Sequence, residues 1–240
     1  MNVTLALKLS PEVLSPGDSY SWAVGWLDRL ASVHPDYKLW WSSPRGPKDS
    51  FLPFEDKGGI LLRLEEAAKE FPDLMEKGAP SLLLTNAGDE KTWKKRGRIT
   101  LTLNPSFGEL RFRVGKIESV YEKPDSMVWS VLVALATDPR VRFAQTNVQQ
   151  LVSNELLLYS VDRTPFPHRE FLGWMGYVPQ ALKTEQVPNA ARLERQGKGT
   201  LVLSTPLLDL SDPAAIKQAN QVEMSLVDLD LLPVTDPNLM

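Results

Sequence analysis

Cysteine is absent from this 240-residue chain. That absence excludes disulfides, thiolate metal sites, iron–sulfur clusters and a cysteine nucleophile. Histidine is nearly absent: His34 and His168 are the only two, so any imidazole chemistry must use one of them. An excess of positive charge is also missing, since 27 Lys and Arg face 30 Asp and Glu for a net charge of −3. A general nucleic-acid binder carries a strongly basic face, and this balance argues against one. Long apolar runs are lacking too; Val131–Ala136 and Leu156–Tyr159 fall far short of the roughly 18 residues that span a bilayer. The first residues have no basic segment followed by a continuous apolar run, so the expectation is a cytoplasmic protein without an export signal.

What is present is a chain with 42% hydrophobic and 24% charged residues, apolar enough to build a core. Its length fits one large domain, residues 1–240, or two intimate halves, about 1–124 and 125–240. Val3, Leu5, Leu7 and Leu9 alternate along a first strand. Ser15-Pro16-Gly17-Asp18 carries a helix start, with Ser15 as cap, Pro16 in the first turn and Asp18 closing a capping box. The helix it opens runs to about Val33, with a wide apolar surface made by Trp22, Ala23, Trp26, Leu27 and Leu30. Tyr37–Trp41 reads as a short aromatic strand, and Lys57–Phe71 as an amphipathic helix.

Further on, Ser81–Thr85 reads as a buried strand. Arg98–Leu103 and Glu109–Val114 form a hairpin in which Ile99, Leu101 and Leu103 answer Leu110, Phe112 and Val114. A helix over Asp125–Thr137 follows. Short strands are then expected at Val141–Ala144, Leu156–Val161, Phe171–Val178, Ala191–Glu194 and Thr200–Ser204. Asp212 or Ser211 caps a last helix whose Ala215, Ala219, Val222, Leu226 and Leu229 make a narrow apolar stripe. Runs of strands between isolated helices indicate an α+β fold, with a mixed or antiparallel sheet flanked by helices.

Motifs for chemistry are sparse. Gly197-Lys198-Gly199-Thr200 lacks the spaced glycine of a phosphate loop and reads as a tight turn. Gly173-Trp174-Met175-Gly176 fits neither a dinucleotide fingerprint nor a nucleophile elbow. Neither histidine has a second histidine four residues on or the nearby carboxylate pair typical of a metal site. Pro72-Asp73 with Asp89-Glu90-Lys91 matches the spelling of a metal-dependent nuclease site, although Asp73 continues or ends a helix and Asp89 follows Asn86-Ala87-Gly88, which reads as a turn after the strand. The aromatic pairs Trp40-Trp41 and Trp174…Tyr177 are expected to send one ring inward and the other toward the surface.

Charge is distributed unevenly. Lys91, Lys94, Lys95, Arg96, Arg98, Arg111, Arg113 and Lys116 stand against Glu109 alone within residues 91–116, and Arg111 and Arg113 share one face of the hairpin. Residues 205–240 reverse the sign, with Asp209, Asp212, Glu223, Asp228, Asp230 and Asp236 against Lys217. Either stretch is ordinarily a solvated face, and either could meet a partner of opposite charge.

The stretch Phe171-Leu172-Gly173-Trp174-Met175-Gly176-Tyr177-Val178-Pro179 points to a family. It is followed by Gly199-Thr200-Leu201-Val202, by Asp212-Pro213 opening a helix through Asn220 and Glu223, and by Asp230-Leu231-Leu232-Pro233. That order resembles the C-terminal half of the immunity protein 52 family. The N-terminal pattern, with its Trp-bearing helix and the Gly58-Gly59 helix, is also similar. These are bacterial immunity proteins encoded beside polymorphic or type VI secreted toxins with a restriction-endonuclease-like nuclease domain.

The resemblance implies a cytoplasmic protein that neutralises a cognate nuclease toxin by stoichiometric occlusion, without being an enzyme and without a cofactor or metal. Its partner would be the toxin, with no nucleic acid and no membrane; a homodimer is compatible with the sequence. Gly173, Trp174, Gly176, Tyr177 and Pro179 are expected to be structural. The acidic residues Asp209, Asp212, Glu223 and Asp228 are the expected toxin-facing set, because acids can steer toward and occupy a basic nucleic-acid groove. Two alternatives stand beside this reading: a binding or scaffold module that uses the basic hairpin face for another protein, and a metal-dependent nuclease.

Overall fold

The computed structural model describes residues 1–70 and 81–236. It is an α+β protein whose strands pair almost entirely antiparallel, and the chain forms two compact units. One unit comprises residues 7–122; the other comprises residues 1–6 and 123–240. Strand β1 (Asn2–Leu9) contributes to both. Val3, Leu5, Leu7 and Leu9 are buried as the alternation requires.

In the unit of residues 7–122, the strand order is β1-β6-β5-β4-β2-β3. The strands are β2 (Trp41–Ser42), β3 (Leu52–Pro53), β4 (Leu82–Thr85), β5 (Thr100–Asn104) and β6 (Glu109–Val114). The hairpin register pairs Leu101 with Phe112 and Leu103 with Leu110. Gly108 closes its turn at φ +61°, where a Cβ would sit 2.5 Å from the Leu9 carbonyl oxygen. Helix α1 (Pro16–Ala31) begins where Ser15 Oγ accepts the Asp18 amide at 3.1 Å. Its wide apolar face is fully used: Trp22, Ala23, Trp26, Leu27 and Leu30 are all buried.

Helix α2 (Lys57–Glu70) starts where Asp56 Oδ1 accepts the Gly59 amide. Phe71 and Asp73 lie outside the described residues. Arg63 of α2 donates to the Ser42, Ser43 and Ser50 carbonyls and pairs with Asp49, so one guanidinium gathers the loop that follows β2.

One expectation fails in this unit. Of the expected strand Tyr37–Trp41 only Trp41 joins one, β2: Pro35–Tyr37 is a 3₁₀ turn, because Pro35 presets the backbone and His34 Nδ1 accepts the Asp36 amide at 3.1 Å. Asp89 follows bends at Asn86, Ala87 and Gly88, in keeping with the turn expected after the strand. It caps the short helix α3 (Glu90–Lys95), its Oδ1 accepting the Thr92 amide at 2.9 Å, and hydrogen bonding from Thr92 leads the effects that lower its pKa. A one-turn helix, α4 (Ile117–Val120), follows β6.

In the other unit the order is β10-β11-β9-β7-β1, with β8 on β7. Strand β7 (Val141–Val152) is far longer than the expected four residues. Its second half, rich in Gln and Asn, lacks the apolar alternation that marks a strand in sequence. Helix α5 (Pro124–Ala136) precedes it and contacts β7 and β9. β8 is Glu155–Leu158, after which Tyr159–Asp162 turns into the one-turn helix α6. β9 is confined to Met175–Val178, while β10 (Arg192–Gln196) and β11 (Gly199–Leu203) form a tight hairpin. Helix α7 (Pro213–Asp228), capped by Asp212 at the Ala214 amide, joins a core of Phe143, Leu172, Val178, Val187, Val202, Val222, Leu226 and Leu232. All four residues of β9 are buried, so both of its faces are covered.

Candidate functional site

The two stretches that carry the family resemblance meet in space. Residues 171–178 enter β9 through Gly173, whose φ of +71° only glycine holds at ease. A Cβ there would lie 2.1 Å from the Thr146 carbonyl oxygen, and one on Gly176 would lie 2.1 Å from that of Ala144. Backbone therefore packs on backbone at both positions. Trp174 is fully buried with Nε1 donating to the Thr205 carbonyl at 3.1 Å. Tyr177 is also buried, so the aromatic pair sends both rings inward. The other pair splits as expected, with Trp40 buried and Trp41 half-exposed. Pro179 is exposed, one residue past the end of β9.

Helix α7 closes on this segment through Glu223. Its Oε1 accepts the amides of Leu172 and Gly173, both at 2.9 Å, and its Oε2 accepts the Thr164 hydroxyl at 3.1 Å. Burial pushes the Glu223 carboxyl pKa up, and the surrounding donors work against that rise. Beside it, Tyr159 donates to Asn220 Oδ1 at 3.0 Å. The placement of Glu223 among surface acids is thus corrected: its exposure is 0%. The signal was available in the sequence, because 223 follows Ala219 by four positions and precedes Leu226 by three, on the apolar stripe itself.

The other three acids stay outside the core but do not converge. Asp209 is half-buried and accepts from the Ser211 amide and hydroxyl and from Gln150 Nε2; the Ser211 hydroxyl leads the effects that lower its pKa. Asp212 and Asp228 are both exposed, at the two ends of α7, about 24 Å apart at 1.5 Å per residue.

The basic stretch is also partly committed. Arg96 pairs with Asp36, Lys94 with Glu90 and Arg111 with Glu109. Arg111 and Arg113 are both exposed on one face of β6, as the alternation requires. His34 serves as the cap already described, and the His168 carbonyl accepts the amides of Thr235 and Asp236. Among the described residues no group of three or more His, Cys, Asp or Glu is placed to hold a metal ion. Nor does any helix among them have the length and apolarity to cross a membrane.

Beside the outer flank of α7 lies a groove of about 650 Å³, which sequence reasoning did not find. Val152, Leu210, Pro213, Ile216 and Met224 give it apolar walls, and Arg163 and Lys217 are the charged residues lining it. Exposed apolar side chains recur nearby in the chain: Leu151 and Leu156 are cross-strand partners on the β7–β8 hairpin, and Val161 stands on α6.

These features define an α+β protein with predominantly antiparallel strands and a buried carboxylate clamp between α7 and the approach to β9. No protein-family model and no curated protein matches the chain. Among solved structures it is similar to the Pseudomonas aeruginosa T6SS protein PA0821, with 13% identity and a TM-score of 0.48 over 93% of this chain and 72% of that one.

Proposed function

We propose that this chain is an immunity protein that binds and neutralises a secreted nuclease toxin of a type VI or polymorphic toxin system, acting by stoichiometric occlusion rather than by catalysis. The observation that carries the reading is the Glu223 clamp. It joins the Phe171–Pro179 stretch to the helix that runs from Asp212 through Asn220 and Glu223. Leu172, Gly173 and Glu223, three of the residues behind the resemblance to the immunity protein 52 family, are thus joined directly, which supports that reading. They serve the fold, which leaves partner contact to exposed surface. Large apolar side chains standing in solvent, including Met224, Leu156 and Val161, are what an interface with another protein would cover.

Occlusion needs an interface of roughly 1,600 Å² over the toxin's cleft or substrate path. Pairs of this kind reach dissociation constants on the order of 10⁻¹⁴ M, among the tightest known. Co-expression with a candidate restriction-endonuclease-like toxin tests the reading. The expected result is cell survival together with a one-to-one complex on gel filtration. Undiminished toxicity, or turnover of nucleic acid by the purified chain alone, overturns it. A second reading, a scaffold module using the basic sheet face, is favoured by the shared exposure of Arg111 and Arg113. Loss of complex formation on reversing those two charges would select it.

A further inference from the structure

Helix α7 carries two stripes. Ala215, Ala219, Val222, Glu223 and Leu226 face inward and are buried. Pro213, Ile216, Lys217, Asn220, Gln221 and Met224 form a second stripe at spacings of three and four, which lines the outer groove. An i, i+3, i+4, i+7 ridge with apolar members is normally covered. Here Met224 is 51% exposed, so the described residues leave half of it open to solvent. The ridge runs about 16 Å from Pro213 to Met224, the length of roughly five residues of extended chain. The volume falls within the range of sites that take a ligand's apolar group.

The charges at the groove select its occupant. Lys217 and Arg163 line it, whereas the nearby acids are turned to other work. Asp209 holds Ser211 and Gln150, and Asp212 holds the Ala214 amide. Lys217 and Arg163 are thus the charged side chains that line this apolar surface. We propose that the groove receives an extended segment of the partner protein in which one or two large apolar side chains are flanked by carboxylates. The apolar side chain packs between Ile216, Met224, Leu210 and Val152. The flanking carboxylates meet Lys217 and Arg163, where partial desolvation strengthens the pairing. This deepens the immunity reading and rests on it for the identity of the partner as a toxin.

The test is selection of a phage-displayed random dodecapeptide library on the full-length protein, followed by fluorescence anisotropy with the best synthetic peptide. Enriched peptides are expected to join a large apolar residue to Asp or Glu. Their affinity should fall by at least roughly tenfold in Met224→Asp and in the double variant Arg163→Glu/Lys217→Glu. The double variant should in turn select peptides with Lys or Arg. Unchanged thermal melting shows that each variant is folded; if Met224→Asp is not, Lys217→Glu alone, at an exposed position, carries the comparison. Absence of enrichment, enriched peptides without acids, binding indifferent to these substitutions, or a homodimer dissociated by Met224→Asp would each overturn the proposal. Failure here with toxin rescue intact removes only the groove, whereas failure of rescue by wild type removes the immunity reading.

Discussion

Glu223 and Gly173 fix each other. The carboxylate satisfies an amide that a left-handed turn leaves facing the core, and the turn exists because glycine at 173 lets the Thr146 carbonyl oxygen pass 2.1 Å from where a Cβ would stand. Glu223→Ala leaves the buried amides of Leu172 and Gly173 without an acceptor, and about 3 kcal/mol of stability should be lost. Glu223→Gln keeps an acceptor for both amides and should lose less than half of that. Urea denaturation of the two variants beside wild type measures the difference.

The same carboxyl makes stability depend on pH. Its pKa in the folded protein is raised above the ordinary 4.5, so the folded state holds the proton more tightly than the unfolded chain. Wild-type stability therefore falls as pH rises from 4.5 through the raised value, a loss that Glu223→Gln cannot show. Denaturation midpoints of both proteins, followed upward from about pH 4, should converge only at the acid end.

Glycine substitutions should separate into grades. Gly46 has nothing within 4 Å of where a Cβ would stand, so Gly46→Ala should be close to neutral. Gly197 is equally open but has φ +55°, and strain alone should cost Gly197→Ala about 1 kcal/mol. Gly173→Ala adds a backbone clash to strain and should cost at least about 3 kcal/mol. Melting temperatures of the three variants test the ranking.

All five tyrosines have raised pKa values, led in each case by burial; Tyr121, hydrogen-bonded to Tyr37 at 2.8 Å, is pushed up to about 12. Their stabilising effect is complete below about pH 10 and declines as pH rises beyond it, because the unfolded chain releases these protons first. Absorbance of ionised tyrosine should rise together with loss of near-ultraviolet circular dichroism. Stepwise ionisation in a chain that stays folded would contradict this.

Asp228 gives a clean probe of electrostatic steering. It is the last residue of α7, and a cation there suits the helix dipole, so Asp228→Lys should leave stability within about 0.5 kcal/mol. If acids guide a basic toxin, the association rate should drop and its salt dependence flatten. An unchanged rate constant in stopped-flow measurements removes Asp228 from the steering set.

Much of the architecture was legible because local rules agreed with burial. The Ser15 cap, the alternation in β1, the β5–β6 register and the inner stripe of α7 all read directly from spacing. Tyr37–Trp41 misled because a histidine cap and a proline outweighed aromatic strand propensity. The length of β7 stayed hidden because Gln145, Thr146 and Asn147 carry no apolar alternation, and Thr146 bridges to Gly173 rather than to a neighbour in sequence. The candidate surface was harder still. Charge counts grouped Asp209, Asp212, Glu223 and Asp228 by proximity along the chain, whereas hydrogen bonding and burial give Asp209, Asp212 and Glu223 separate tasks.

The division of α7 into two stripes also separates two kinds of tolerance. If the groove binds as proposed, exchanges at 217, 221 and 224 would alter what the molecule can grip while leaving Glu223 and its amides untouched. Retargeting such a helix to a new adversary would then be a matter of repainting one side of it, with no renovation behind the wall.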